Sequence, residues 1–153
     1  INIFLNEQCK DAMNISDFVN SLHLQISDLH DVGKLGYVDG ISKIIVQKLN
    51  ALDIYKRPIH CPDIKKDTMY IKDKNVWEID QNEMPRMKDV IQKVTHANCN
   101  LLCHIDIEND DDSYNIILEV SGGGGGYGDN DKKEERIIKK IAKQLNNVNY
   151  SKL

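Results

Sequence analysis

The sequence lacks long hydrophobic runs, and proline and aromatic residues are scarce. Its uninterrupted apolar stretches are short, such as residues 116–118, whereas a membrane-spanning helix needs roughly 18 apolar residues. Three prolines in 153 residues, with 41% hydrophobic and 29% charged residues, are typical of a globular protein and unlike a disordered chain. We therefore expect one folded domain over residues 1–153 that makes no contact with a membrane.

Cysteine is also sparse, and no paired Cys-x-x-Cys motif occurs. The four cysteines are Cys9, Cys61, Cys99 and Cys103. Their low density in a chain of this length favours free thiols in a reducing compartment over a disulfide framework. The first residues contain neither a basic leader nor a small-residue cleavage site, so we expect an intracellular protein.

The periodicity of apolar residues predicts a mainly helical, α+β fold. We expect about five helices around one core and a small β-hairpin, with a winged-helix-like arrangement as one form of this fold. The predicted helices cover about 16–30, 39–53, 85–104, 114–120 and 131–145, and the predicted strands cover 68–72 and 76–79. Gly33 and Gly36 are expected to separate the first two helices.

Five consecutive glycines at 122–126 raise the question of a phosphate-binding loop. The pattern lacks the Gly-Lys-Ser/Thr ending of a P-loop, and the segment before it does not clearly predict a strand. A flexible Gly-rich loop over residues 122–130 is therefore the favoured interpretation.

Two groups of residues raise the question of an enzyme or a metal site. His96, Cys99 and Cys103 lie at i, i+3 and i+7, one face of a helix, but zinc needs four ligands, so buried hydrophobic cysteines are favoured. His60 beside Cys61 resembles a base and a nucleophile, although adjacent residues seldom face each other usefully. We expect no cofactor, keep zinc as the alternative, and favour a non-catalytic domain.

A basic segment interleaved with aromatic residues predicts a binding surface. Cations bind phosphates and ring faces stack on bases, so this segment could bind nucleic acid, although the net charge of −4 limits nonspecific affinity. Alternatively, the aromatic residues pack the hairpin onto the helices and the lysines are a solvated face. The candidate residues are Lys56, Arg57, Lys65, Lys66, Tyr70, Lys72, Lys74 and Trp77, with Tyr55 beside them.

Five stretches together resemble a domain that recurs in uncharacterised proteins of giant nucleocytoplasmic large DNA viruses. They are FLNEQCKDA at 4–12, LGYVDGISKI at 35–44, LDIYKRPIHC at 52–61, YIKDKNVWE at 70–78 and IIKKIA at 137–142. In that mimivirus-like family the domain often follows a zinc finger. The resemblance implies a viral protein acting in the cytoplasm or viral factory of an infected cell, and it supplies no catalytic residues.

Together these patterns predict a non-catalytic accessory domain of a viral regulator that binds DNA or RNA through the basic and aromatic segment. The alternative is a protein-interaction module that self-associates or binds another viral protein and has no affinity for nucleic acid.

Overall fold

The computed structural model of the chain describes residues 1–66, 68–103, 127–146, 148 and 150. This part is mainly helical with one small antiparallel sheet, so the predicted α+β class is confirmed. Its regular elements are α1 (Ile15–Asn20), α2 (Ile26–Leu35), α3 (Tyr37–Asn50), β1 (Ile59–His60), β2 (Met69–Asp73), β3 (Val76–Asp80), α4 (Pro85–Cys103) and α5 (Tyr127–Leu145). A π-helix at Phe4–Gln8 and 3₁₀ turns at Ile54–Lys56 and Ile64–Lys66 are shorter elements of the described chain.

The main core lies where α2, α4 and α5 pack on α3 and the inner face of the sheet closes one side. Each helix contributes one apolar stripe at helical spacing, which is the pattern that drives a helix onto a core. Burying each aliphatic side chain stabilises the fold by roughly 1.5–3 kcal/mol. The largest contributors include Ile41, Ile44, Ile45 and Leu49 of α3, Met87 and Ile91 of α4, and Ile137 and Ile141 of α5.

The sheet has the order β1-β2-β3, and both pairings are antiparallel. The predicted hairpin is present. Its two-residue turn holds Lys74 and Asn75 at φ 49° and 64°, the left-handed conformation that the twist of a tight hairpin requires. The structure adds β1, which sequence patterns missed because it is only two residues long and follows Pro58.

The chain before α1 forms a second, smaller core on the outer face of the sheet. Phe4, Leu5, Cys9 and Ala12 are buried there. Within the π-helix, the Cys9 backbone N–H donates to the Phe4 carbonyl at 3.0 Å, a hydrogen bond one residue longer than that of an α-helix. We call residues 1–12 the N-terminal segment.

The predicted helix over 16–30 is wrong, because the structure divides it into α1 and α2. The carboxylate of Asp28 accepts a hydrogen bond from the Gln25 backbone N–H at 2.9 Å, which begins a new helix beside that position. Gly33 lies inside α2 rather than in a break. The break falls at Gly36, whose φ of 89° suits glycine.

Several predictions concern the end of the chain. α5 begins at Tyr127, so residues 127–130 of the predicted Gly-rich loop are helical. The glycines at 122–126 and the predicted helix at 114–120 lie outside the described residues. Across the described helices, none combines the length and the apolar character needed to cross a membrane.

Candidate nucleic-acid interface

The sheet brings three of the predicted binding residues onto one face. Side chains alternate along a strand, so Tyr70 and Lys72 point to the same side of β2. Lys72 pairs with Trp77 across the hairpin, and Tyr70 pairs with His60 of β1, which places all four residues on the outer face. The sequence prediction that these aromatic and basic groups lie together is therefore consistent with the register.

That outer face is covered by the N-terminal segment. Phe4 makes edge-on contacts with the rings of His60 and Tyr150, with centroid separations of 5.2 and 5.4 Å. Tyr55, Tyr70 and Trp77 pack against the same small core and are only partly exposed. The face that could stack on bases is therefore occupied by the chain itself.

Lys72 does not contribute to an exposed basic surface, and its prediction as a phosphate contact is corrected. Its side chain is 4% exposed. The ammonium donates hydrogen bonds to the backbone carbonyls of Lys10 at 2.6 Å and Ala12 at 3.0 Å. A buried ammonium needs such acceptors to offset its lost hydration, so Lys72 anchors the N-terminal segment.

Tyr70 and Trp77 also have a structural role, which was the other interpretation of the aromatic residues. They pack mainly against the N-terminal segment rather than the helices. The Trp77 ring lies 5.7 Å from the His60 ring, centroid to centroid. Its indole Nε1–H is buried and meets no hydrogen-bond acceptor among the described residues.

The remaining predicted cations occupy two ends of the sheet. Lys56 and Lys74 lie near the hairpin tip. There the Met13 backbone N–H donates to the Lys56 carbonyl, and the Asn75 backbone N–H donates to the side-chain oxygen of Asn14. Lys65 and Lys66 lie at the opposite end, where Lys66 lines a groove of about 460 Å³. Arg57 is half-buried and donates through Nε to the Leu52 carbonyl at 3.3 Å.

His60 pairs with Cys9, a contact that the sequence did not reveal. The Cys9 Sγ lies 3.7 Å from Nε2 of His60, and the Tyr150 hydroxyl lies 3.0 Å from Nδ1. Cys61 instead lies in the main core. Cys9 is 51 residues from His60 in the chain, and no spacing rule connects such positions.

The Cys9–His60–Tyr150 arrangement resembles a nucleophile, a base and an orienting group. Burial raises the pKa of the Cys9 thiol to about 11 and lowers the pKa of His60 to about 4. Burial also raises the pKa of Tyr150 above its ordinary value. A reactive cysteine needs the opposite shift, so these groups are neutral and serve as buried hydrogen-bonding groups.

The predicted metal face of α4 divides between two environments. His96 is exposed, whereas Cys99 is half-buried and packs against the main core. The Cys103 side chain lies outside what the structure describes. Among the side chains that are described, no three metal-ligating groups converge on one point.

Comparison with known proteins adds no information about the function of these residues. No protein-family model, no curated protein and no solved structure matches the chain.

Proposed function

We propose that this chain is a non-catalytic accessory domain of a viral, nucleic-acid-associated regulator that acts in an infected cell. It binds DNA or RNA through the exposed lysines of the connector and the hairpin. The observation that carries the proposal is the state of Lys56, Lys65, Lys66 and Lys74. All four are exposed, and none pairs with a carboxylate within the described part of the chain.

Several other cations of the domain are engaged in ion pairs. Lys43 bonds Asp31 at 3.1 Å, and Lys93 bonds Asp89 at 2.9 Å. Lys56, Lys65, Lys66 and Lys74 differ from these cations, because no described carboxylate forms an ion pair with them. A protein that binds phosphates needs such cations, because each must release a counterion from the nucleic acid on binding.

Binding through these lysines depends on phosphates rather than on base stacking. Tyr70 and Trp77 lie under the N-terminal segment, so ring faces do not contribute in the folded state. Phosphate contacts position a protein without reading sequence. We expect weak sequence preference, steep salt dependence and an affinity limited by the net charge of −4.

A salt series with labelled duplex and single-stranded DNA and RNA tests the proposal. We expect reversal of Lys56, Lys65, Lys66 and Lys74 to glutamate to abolish binding. Neutralising the same four to glutamine should reduce the slope of log affinity against log salt by about 3, since each phosphate contact contributes about 0.7–0.9. The control is Lys34→Glu, at an exposed lysine of α2, a helix that packs on α3 and α4. Affinity that is unchanged by the fourfold reversal would contradict this assignment.

A protein-interaction module is the second candidate function, supported by the edge of the sheet. β3 is an edge strand, and its Val76 and Ile79 are 54% and 51% exposed. Exposed apolar edge strands are templates for pairing with another chain. Sedimentation across a concentration range tests this alternative: a mass that rises with concentration in the parent chain but not in Ile79→Lys supports self-association.

A further inference from the structure

The last helix separates its charges along its length. On α5, the apolar residues Ile137, Ile138, Ile141 and Leu145 are buried. The opposite side carries four exposed cations at i, i+3, i+4 and i+7, which places them on one face. We call this set the cationic stripe; it consists of Arg136, Lys139, Lys140 and Lys143. Residues 136–146 contain no carboxylate, and the stripe is about 10 Å long at the helical rise.

Three of the four cations of the stripe form no ion pair with the described residues, whereas two acids in the first half of α5 have partners. Asp131 bonds Lys88 at 3.1 Å, and Glu134 accepts a hydrogen bond from Gln92 at 3.1 Å. Lys140 bonds Asp39 at 2.5 Å. For the other three cations of the stripe, the described residues supply no carboxylate partner.

Open grooves flank the stripe on both sides. The groove between α3 and α5 measures about 450 Å³, with Lys43, Lys140 and Lys143 around it. Gln47 and Gln144 add amide groups to the same groove. On the other side, Lys139 shares the groove of about 460 Å³ with Lys66, one of the sheet-end lysines. The stripe is therefore a ridge that continues the basic surface from Lys66 across α5.

We infer that the cationic stripe and the groove between α3 and α5 bind the phosphate backbone of a nucleic-acid strand. This inference rests on the proposed function and specifies where the strand lies. The stripe spans about three phosphates at the 3.4 Å rise per nucleotide of one strand. The glutamine amides beside it can donate to sugar and base oxygens, as side-chain amides do in nucleic-acid complexes.

Charge complementarity favours the α3/α5 groove over its neighbour. Only Asp39 contributes a carboxylate to the former, and that carboxylate is neutralised by Lys140. The groove beside Lys66 contains Glu83 and Glu135, which repel phosphates. The part of the strand that lies on α5 therefore follows the side that faces α3, and Lys66 connects it to the other sheet-end lysines.

Two sets of neutralised variants test the inference with one labelled single-stranded oligonucleotide in a salt series. The stripe variant is Arg136→Gln with Lys139→Gln and Lys143→Gln, which leaves the Lys140–Asp39 pair intact. The matched sheet variant is Lys56→Gln with Lys65→Gln and Lys74→Gln. All six side chains are at least partly exposed, and thermal unfolding checks that both variants remain folded. We expect the stripe variant to lose at least tenfold in affinity and about 2 in salt slope, since single strands contribute about 0.7 per contact.

The outcomes separate this inference from the proposed function. If the parent chain binds and only the sheet variant loses affinity, the inference is wrong and the proposed function stands. Absence of binding by the parent chain at low salt would contradict both the proposed function and this inference. A polyglutamate peptide that binds the parent chain more tightly than the oligonucleotide, with the same loss in the stripe variant, overturns the inference in favour of an acidic protein segment.

Discussion

At the scale of single residues, the burial of Lys72 shows that a basic residue can anchor the chain rather than face solvent. Its ammonium bonds two carbonyls of the N-terminal segment, and removing it takes the donor from the buried hydrogen bond to Ala12 and from the partly buried one to Lys10. We expect Lys72→Met to reduce the free energy of unfolding by about 1–3 kcal/mol, the usual cost of leaving a buried polar group without its hydrogen-bond partner. Urea unfolding measures this change, and the exposed Lys74→Met is the matched control. Equal stability of the two variants would contradict the anchoring role.

The same pair of variants distinguishes structure from binding. Lys74→Met should reduce the salt slope of nucleic-acid binding by up to about 0.9, whereas Lys72→Met should leave the slope unchanged, provided that the variant is folded. A salt slope that falls in Lys72→Met and is unchanged in Lys74→Met would instead indicate that Lys72 contacts the phosphates.

His60 makes the stability of the fold depend on pH. Burial, and secondarily the charge of Arg57, lowers its pKa to about 4 from 6.5, so the folded state resists protonation. The contribution of His60 is complete above about pH 6.5 and is lost as the pH falls towards 4, because the unfolded chain binds the proton first. The full loss is on the order of 3 kcal/mol.

Urea unfolding at about pH 7 and pH 4.5 measures this dependence. We expect the loss of stability between the two values to be smaller in His60→Gln than in the parent chain. His23→Gln, a change at an exposed histidine, is the control and should match the parent chain. An identical pH dependence in all three proteins would mean that folding does not shift the pKa of His60.

At the scale of elements, the contact between α2 and α3 depends on Gly40. A Cβ added at this position would lie 2.5 Å from Cα of Val32, so the helices would have to separate. Helix propensity alone predicts that Gly40→Ala stabilises α3 by about 1 kcal/mol. We expect the clash to outweigh that gain, with a net loss of about 1–2 kcal/mol from overpacking. Thermal unfolding measures the balance, and a rise in the melting temperature of Gly40→Ala would show that helix propensity outweighs the clash with Val32.

The turn before α4 holds three consecutive non-glycine residues in the left-handed region. Asn82, Glu83 and Met84 have φ values of 55°, 71° and 52°. Each such residue costs about 1–2 kcal/mol, which glycine avoids at an entropic cost of about 0.5–1 kcal/mol. We expect Glu83→Gly to stabilise the fold by about 0.5–1 kcal/mol and Gln81→Gly, outside the run, to destabilise it. Thermal unfolding compares the two variants, and similar shifts in their melting temperatures would show that residues 82–84 are not strained.

Local sequence rules predicted the elements that depend on local interactions. The apolar periods of α4 and α5 and the β-branched and aromatic runs of β2 and β3 are local signals, and the structure contains all four elements. The division of the first predicted helix depends on the cap at Asp28, which the apolar period from Phe18 to Leu29 obscured. Of the candidate surface, the grouping of its residues was predictable from the sequence, but their burial was not. Register placed Tyr70, Lys72 and Trp77 together, but the segment that covers them comes from some 60 residues away in the chain.

At the scale of the whole molecule, the described chain has two apolar cores of unequal size on opposite faces of one sheet. The main core contains side chains from α1 to α5, whereas the smaller core depends on few residues of the N-terminal segment. Regions with fewer buried apolar contacts open at lower free energy than the rest of a fold. The outer face of the sheet should therefore become exposed before the helices unfold.

Trp77 reports this opening directly, because it is the single tryptophan of the chain and lies in the smaller core. Phe4→Ala removes the ring that packs on His60 and Tyr150, which should weaken that core by about 3 kcal/mol. We expect Trp77 emission to shift to the red and acrylamide quenching to rise while helical circular dichroism is retained. Ile3→Ala, at a residue that is 75% exposed, should change neither signal. If fluorescence and helicity are instead lost in one coincident transition, the two cores unfold as a single cooperative unit, and the aromatic face is reached only by global unfolding.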